Sequence, residues 1–398
     1  MSARSSDPGA LADRGQSSDR GLSLNRILAV LTKEFIQLTR DRLTYAMILV
    51  MPIVQLMLFG YAINSDPRDL PTAVLVQDHG PMARSALSAL AHNGYFEIVR
   101  EAASPEELDR AIARGEVQFA LTIPADFTRR VVRGDGAQIL VEADASDPAA
   151  TGGAIAALAN LPRTALSRDL VGAAAPSSGM ATGQDPFEVV IHRRYNPEAI
   201  TAYNIVPGLL GVVLSMTLVM MTSLGMTREY ERGTMESLLA TPAKPIEVMI
   251  GKLSPYVVVG LIQTVVILVL ARVLFSVPMA GGWDALALGV VLFILGSLSL
   301  GFLISTVARN QLQAVQMSFF YILPSILLSG FMFPFRGMPA WAQALGGVIP
   351  VTHFLRVMRG SLLKGLGLVD LWTSLAALAV FVVAIAAAAM SRYRRTLD

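Results

Sequence analysis

Four acids close together, Asp135, Glu142, Asp144 and Asp147, are the first residues in this chain whose types could do chemistry. Clustered carboxylates can hold calcium or transfer protons, but this spacing fits no EF-hand loop, and helix capping or solvation accounts for the acids more simply. His79, His92 and His192 are scattered, with no pair at metal-ligand spacing. Gly251-Lys252 resembles the end of a phosphate-binding loop. That loop requires G-x-x-x-x-G-K-[ST], whose backbone N–H groups and lysine surround the phosphates. Here Ile246 replaces the first glycine and Leu253 the hydroxyl residue. No G-x-S-x-G nucleophile elbow occurs. With no cysteine, thiolate metal sites and cysteine nucleophiles are excluded. The expectation is a chain with no catalytic residue, no metal site and no cofactor of its own.

The stretch from Thr227 to Tyr256, TREYERGTMESLLATPAKPIEVMIGKLSPY, carries the most information. Gly233 interrupts a helix, and Thr234 can cap a new short one with Glu236 near its positive end. Met235, Leu238 and Leu239 share one face, and Pro242 stops the helix. A short amphipathic helix with charged flanks suits docking in a groove of another protein. The same residues also suit a loop snorkelling at a membrane surface.

The elements that would position this stretch are membrane spans. Hydrophobic residues make up 53% of the 398 and charged ones 16%, against about 25% charged in soluble domains. A net charge of +2 gives no reason to expect a nucleic-acid partner. Six segments are long and apolar enough to cross a bilayer: 44–63, 201–226, 255–277, 285–307, 315–335 and 371–390. Lys and Arg concentrate on the flanks that face inward if both termini are cytoplasmic. Arg336, Arg356, Arg359 and Lys364 break that bias, and fit a segment 339–364 that dips into the membrane as two re-entrant helices broken near Gly346, Gly347 and Pro350. Residues 1–23 read as a disordered cytoplasmic tail and 24–43 as an amphipathic interfacial helix.

Residues 64–200 have soluble composition. Strands are expected at 72–76, 96–99, 117–123 and 138–142, and helices at 83–91, 105–113, 125–133 and 149–161. This alternation predicts an α/β domain inserted outside the membrane. Pro124 and Pro148 suit first helical turns, Asp147 suits an N-cap, and 171–183 reads as a flexible loop. The fold class expected is thus membrane all-α, with six transmembrane helices, an amphipathic interfacial helix and an inserted extracytoplasmic α/β domain; residues 201–398 hold helices two to six and a cytoplasmic loop 227–254.

That loop resembles the motif of type-2 ABC transporter permeases through Arg228, Glu229, Glu231, Arg232, Gly233, Thr234, Glu236, Leu238, Pro242, Glu247, Gly251 and Lys252. Further likeness lies in Lys33, Glu34, Arg40 and Asp41, in LSGFMFPFRGMP at 328–339 and in RGSLLKG at 359–365. The large insert after the first span is similar to the bacterial drug-export subgroup. The resemblance implies a multi-pass protein of the bacterial inner membrane that exports drugs or other hydrophobic compounds. It also implies a second permease chain, identical or related, and an ATP-binding subunit that carries the ATP and Mg. A periplasmic membrane-fusion adaptor is a further candidate partner. Residues 228–238 would then be the element coupled to the ATPase.

Asn204, Ser215 and Thr222 share one stripe of the second span, with Gly208 and Gly211; Gln311, Ser318, Tyr321 and Ser325 do so in and just before the fifth. These are the candidate pathway residues, since polar groups in a span face away from lipid. Close helix packing remains an alternative, above all for the glycines. An ion-driven transporter would need a mid-membrane acid, and none lies within the six spans; Asp284 sits at an edge. A ligand sensor and a permease for lipid or glycan are the other readings.

Overall fold

The computed structural model describes residues 67–166, 185–232 and 245–395. The tail, the interfacial helix, the first expected span, the loop at 171–183 and the expected coupling helix after Gly233 lie outside these residues.

The first described region is a sheet with helices. Its elements are β1 (Leu70–Val76), α1 (Pro81–Ala91), β2 (Phe96–Glu101), α2 (Pro105–Ala113), β3 (Phe119–Ile123), α3 (Phe127–Arg133), β4 (Gln138–Asp144), α4 (Pro148–Leu158), α5 (Leu161–Ala165) and β5 (Glu188–Arg194). The strand order is β2-β1-β3-β4-β5. β1 pairs in parallel with β2 and β3, β4 runs antiparallel to β3, and β5 is parallel to β4. The apolar run LPTAVLV is buried almost throughout because β1 is covered on both faces. α2 starts with a reciprocal cap: Glu107 N donates to Ser104 Oγ, Ala103 N donates to Glu107 Oε2, and Pro105 fills the first turn.

Among the described residues, five helices are long and apolar enough to cross a membrane. They are α6 (Thr201–Glu231), α7 (Pro245–Phe275), α8 (Trp283–Val307), α9 (Gln311–Leu328) and α12 (Leu368–Arg395). Between α9 and α12 stand α10 (Ala340–Val348) and α11 (Pro350–Lys364). The chain breaks at Ile349, where Pro350 begins α11. At 15 residues α11 is about 22 Å long, short of the ~30 Å hydrocarbon core. Its apolar face is nevertheless central to the bundle. Val351, Phe354, Val357 and Met358 pack with Leu210 and Leu214 of α6, Phe293 and Ile294 of α8 and Leu378 of α12. The Phe293 and Phe354 rings stack with centroids 4.2 Å apart. Gly301 of α8 lets α6 approach closely: a Cβ there would lie 2.7 Å from the Val219 carbonyl oxygen. By contrast, α7 turns Val258, Ile262, Val265, Val269 and Val273 outward, as a lipid-facing helix would.

Several expectations need correction. The fifth span ends at Leu328 rather than Phe335, because Gly330 takes a left-handed φ of 84° that stops the helix. α3 begins at Phe127, so Pro124 precedes the helix, and its carbonyl accepts from Phe127 N. Asp147 does occupy the N-cap position of α4, but its carboxylate makes no cap bond. β5 was not expected at all.

Candidate functional site

α6 and α9 face one another along a seam of polar side chains. Ser223 Oγ of α6 and Ser318 Oγ of α9 are 3.0 Å apart. Nearer the sheet region, the Tyr321 hydroxyl lies beside Ser215 and Ser325. Ser215, Ser318 and Ser325 are all buried. Ser318 and Ser325 also donate to the carbonyls of Ala314 and Tyr321 one turn earlier, which satisfies hydroxyls that have no water to bond. Thr222 is buried but faces α8 across Gly301. Asn204 and Gln311 stand at opposite ends of the seam. Ser223, absent from the sequence expectation, supplies the cross-helix partner; it directly follows Thr222 and was hidden by taking a single stripe.

At the end away from the sheet region, the last turn of α6 grips the start of α9. Glu231 Oε1 accepts from Gln311 N at 2.8 Å, and Oε2 accepts from Gln311 Nε2. Asn310 caps the same helix by accepting from Gln313 N at 2.8 Å, and Gln313 Oε1 accepts from Arg309 N. A carboxylate here also meets the positive end of the α9 dipole. Glu229 pairs with Lys252 at the start of the apolar part of α7. Glu229 and Glu231 thus tie α6 to both α7 and α9. Arg228 and Arg232 lie beside Glu231. Gly233, Thr234, Glu236 and Leu238 lie outside the described residues.

At the other end the bundle meets the sheet region through charge. Lys364 Nζ, with its side chain 7% exposed, donates to Asp144 Oδ2 at 2.5 Å and to the Ile112 carbonyl, and lies 4.9 Å from the Tyr195 ring centroid. Asp147 accepts from Asn204 Nδ2 at 3.1 Å, and its other oxygen is 3.7 Å from Arg359. Arg114 pairs with Asp370 of α12 at 3.1 Å. Within the sheet, Glu142 holds Arg194; burial opposes the arginine's charge, but Glu142 and then Asp109 raise its pKa above the ordinary value. Three of the four acids expected to be capping or solvated are therefore ion-paired, and only Asp135 stays exposed. Arg359 and Lys364, two of the four cations that broke the inward bias of charge, were the signal for the Asp147 and Asp144 pairs.

A cleft of about 280 Å³ opens at this junction, lined by Arg114, Asp147, Phe335, Arg336, Arg356, Arg359, Lys364 and Asp370 among others.

Comparison with known proteins adds the following. The family model described as ABC-2 family transporter protein matches residues 42–390. The probable multidrug ABC transporter permease YbhS of Escherichia coli is 30% identical over 349 residues, covering 86% of this chain and 90% of that one. The probable multidrug ABC transporter permease YbhR of the same organism is 27% identical over 371 residues, covering 93% and 99%. The inner membrane transport permease YhhJ, also from Escherichia coli, is 27% identical over 329 residues, covering 79% and 84%.

Proposed function

This chain belongs to the ABC-2 family of transporter proteins, and from that premise we propose that it is the permease of an ATP-driven exporter of drugs and other hydrophobic or amphipathic compounds. It carries the membrane path, while a separate ATP-binding subunit holds ATP and Mg. A second permease chain, identical or related, completes the path. The chain sits in the bacterial inner membrane with six spans, the first at 44–63, and both termini in the cytoplasm. The sheet region is then periplasmic, where an adaptor would meet it.

The grip of Glu231 on the α9 N-terminus supports this reading most directly. The loop that follows α6 is the proposed docking element for the ATPase, carried by Arg228, Glu229, Glu231, Arg232, Gly233, Thr234, Glu236 and Leu238. Any displacement of that loop pulls on α6, and through Glu231 and Glu229 on α9 and α7 as well. α6 and α9 are the two walls of the polar seam, so movement at the ATPase reaches the proposed pathway residues Asn204, Ser215, Thr222, Gln311, Ser318, Tyr321 and Ser325. In the single chain most of these are buried, so a path along the seam requires α6 and α9 to part.

The test is to purify the chain with its ATP-binding subunit in mild detergent and assay ATPase activity with and without candidate drugs. We expect Glu231→Gln, Gly233→Pro and Glu236→Lys to co-purify with the subunit and retain basal hydrolysis, yet to lose the drug-stimulated increment. Wild-type stimulation in all three variants would refute the coupling assignment.

A further inference from the structure

The charges that line the junction cleft do not balance. Five cationic side chains, Arg114, Arg336, Arg356, Arg359 and Lys364, face two carboxylates, Asp147 and Asp370. Arg114 is matched by Asp370, and Lys364 by the adjoining Asp144. Arg359 donates to the Gly330 carbonyl and meets Asp147 only at 3.7 Å, while its buried Nε has no hydrogen-bond partner. Arg336 reaches only the Gly115 carbonyl, at 3.4 Å, and Arg356 lies over the Phe335 ring at 5.0 Å. Among the described residues neither of these two guanidiniums has a carboxylate, although both line the same cleft. Like charges kept together without a counter-ion are costly unless an anion joins them, and guanidinium forks are shaped to bind phosphate or carboxylate oxygens in pairs.

The surroundings are half apolar. Phe335, Leu355, Leu366 and Leu371 also line the cleft. Phe335 packs in one cluster with Ala342 of α10, and α10 leaves Trp341, Leu345 and Val348 exposed. An exposed tryptophan beside aliphatic side chains suits the boundary between headgroups and acyl chains. A ligand with an acidic head and an apolar tail therefore satisfies both features.

We infer that the cleft between the sheet region and α11 binds an anionic amphiphile, its phosphate or carboxylate head held by Arg336, Arg356 and Arg359 and its tail along α10. The inference rests on the permease reading only for placing the cleft at a membrane surface. Its test needs neither ATP nor the ATP-binding subunit, so it fails or stands separately from the coupling assignment.

The experiment titrates the purified full-length chain, in neutral detergent, with short-chain phosphatidylglycerol, with phosphatidylcholine of the same chain length, and with inorganic phosphate. Intrinsic tryptophan fluorescence and thermophoresis report binding. We expect phosphatidylglycerol to bind at least about tenfold more tightly than phosphatidylcholine, a difference of ~1.4 kcal/mol, with the preference shrinking as salt is added. The double variant Arg336→Gln/Arg356→Gln should lose the preference. It leaves no carboxylate unpaired, and size-exclusion elution checks its fold. Equal binding of the two lipids by the wild type would overturn the inference without recourse to any variant. So would an unchanged preference in a folded double variant. Displacement of phosphatidylglycerol by an equal concentration of inorganic phosphate would identify a site for the free anion and end the claim for an amphiphile.

Discussion

Where the bundle meets the sheet region, ion pairs cross between the two: α11 supplies the cations of Lys364–Asp144 and Arg359–Asp147 and the sheet side supplies that of Arg114–Asp370, so charge ties together parts of the chain that fold around separate cores. At the opposite end both signs belong to the helices: Glu229 with Lys252, and Glu231 with the start of α9. The two ends also differ in depth. Lys364 and Asp144 are 7% and 10% exposed, whereas the Glu231 side is open to solvent. A buried pair holds its geometry because separation strands a charge in low dielectric. A surface pair is weak individually and exchanges partners readily. Charge thus serves as a fixed clasp at one end. At the other it forms a loose, redundant linkage, as suits an element that must move.

The sharpest way to break this contrast is Lys364→Met. It leaves the Asp144 carboxylate buried with no ammonium, a loss on the order of 3–5 kcal/mol for such pairs. We expect lower thermal stability and faster hydrogen exchange at 144–147 and at the C-terminal end of α11, with exchange at 309–313 unchanged. The companion Lys364→Met/Asp144→Leu should recover much of the loss, because an apolar pair of similar bulk needs no counter-charge. Exchange at 144–147 matching the wild type in the single variant would show that the clasp is not what holds the junction.

A smaller effect is expected at the opposite end. Asn310→Ala removes the cap bond to Gln313 N, worth about 1 kcal/mol at an N-cap. Glu231 still accepts from Gln311 N, so the remaining donors of the first turn are only partly released. Hydrogen exchange should rise at 311–314 while the junction stays protected. A loss as large as that of Lys364→Met would mean that this end is no looser than the other.

The sequence made local features visible and distant ones invisible. Long apolar runs placed the five described spans, and S-P-E-E at 104–107 places a helix start because cap, proline and acid are all within one turn. The break before α11 was legible from Gly346, Gly347 and Pro350 for the same reason. β5 escaped because EVVIHRR offers only three consecutive apolar residues before three polar ones, with no alternation to mark a strand, and its partner β4 is 50 residues away in the register Gln138 to Glu188. The end of α9 was overrun because hydropathy continues through LSGFMF, while the backbone turns at Gly330. Lys364 and Asp144 are 220 residues apart, so no local pattern joins them. What the sequence did show was a misplaced cluster of cations, a signal that a partner existed without saying where.

Asp78 separates the charges of the clasp from the charges that hold the sheet region itself. Its carboxylate accepts from Gly80 N at 2.7 Å and from Thr128 N at 2.6 Å, joining the loop after β1 to the first turn of α3. Burial pushes its pKa up, but the bonds from the Thr128 and Gly80 amides outweigh this and hold it below the ordinary carboxylate range. A carboxyl depressed in the folded state stabilises fully above its unfolded pKa, and the contribution disappears as pH falls through the folded value. Thermal unfolding of the wild type should therefore drop more steeply between about pH 5 and pH 3 than that of Asp78→Asn, with the two curves closest at the acid end. The group is partly solvent-exposed, so the difference at neutral pH should be modest, below that of Asn310→Ala. Exchange at 144–147 should be the same in both proteins, because the acid of the clasp is Asp144 and Asp78 bonds only within the sheet region. Parallel loss at both places would mean that the junction and the sheet region unfold as one unit, and that the separation of roles drawn between them is not mechanical.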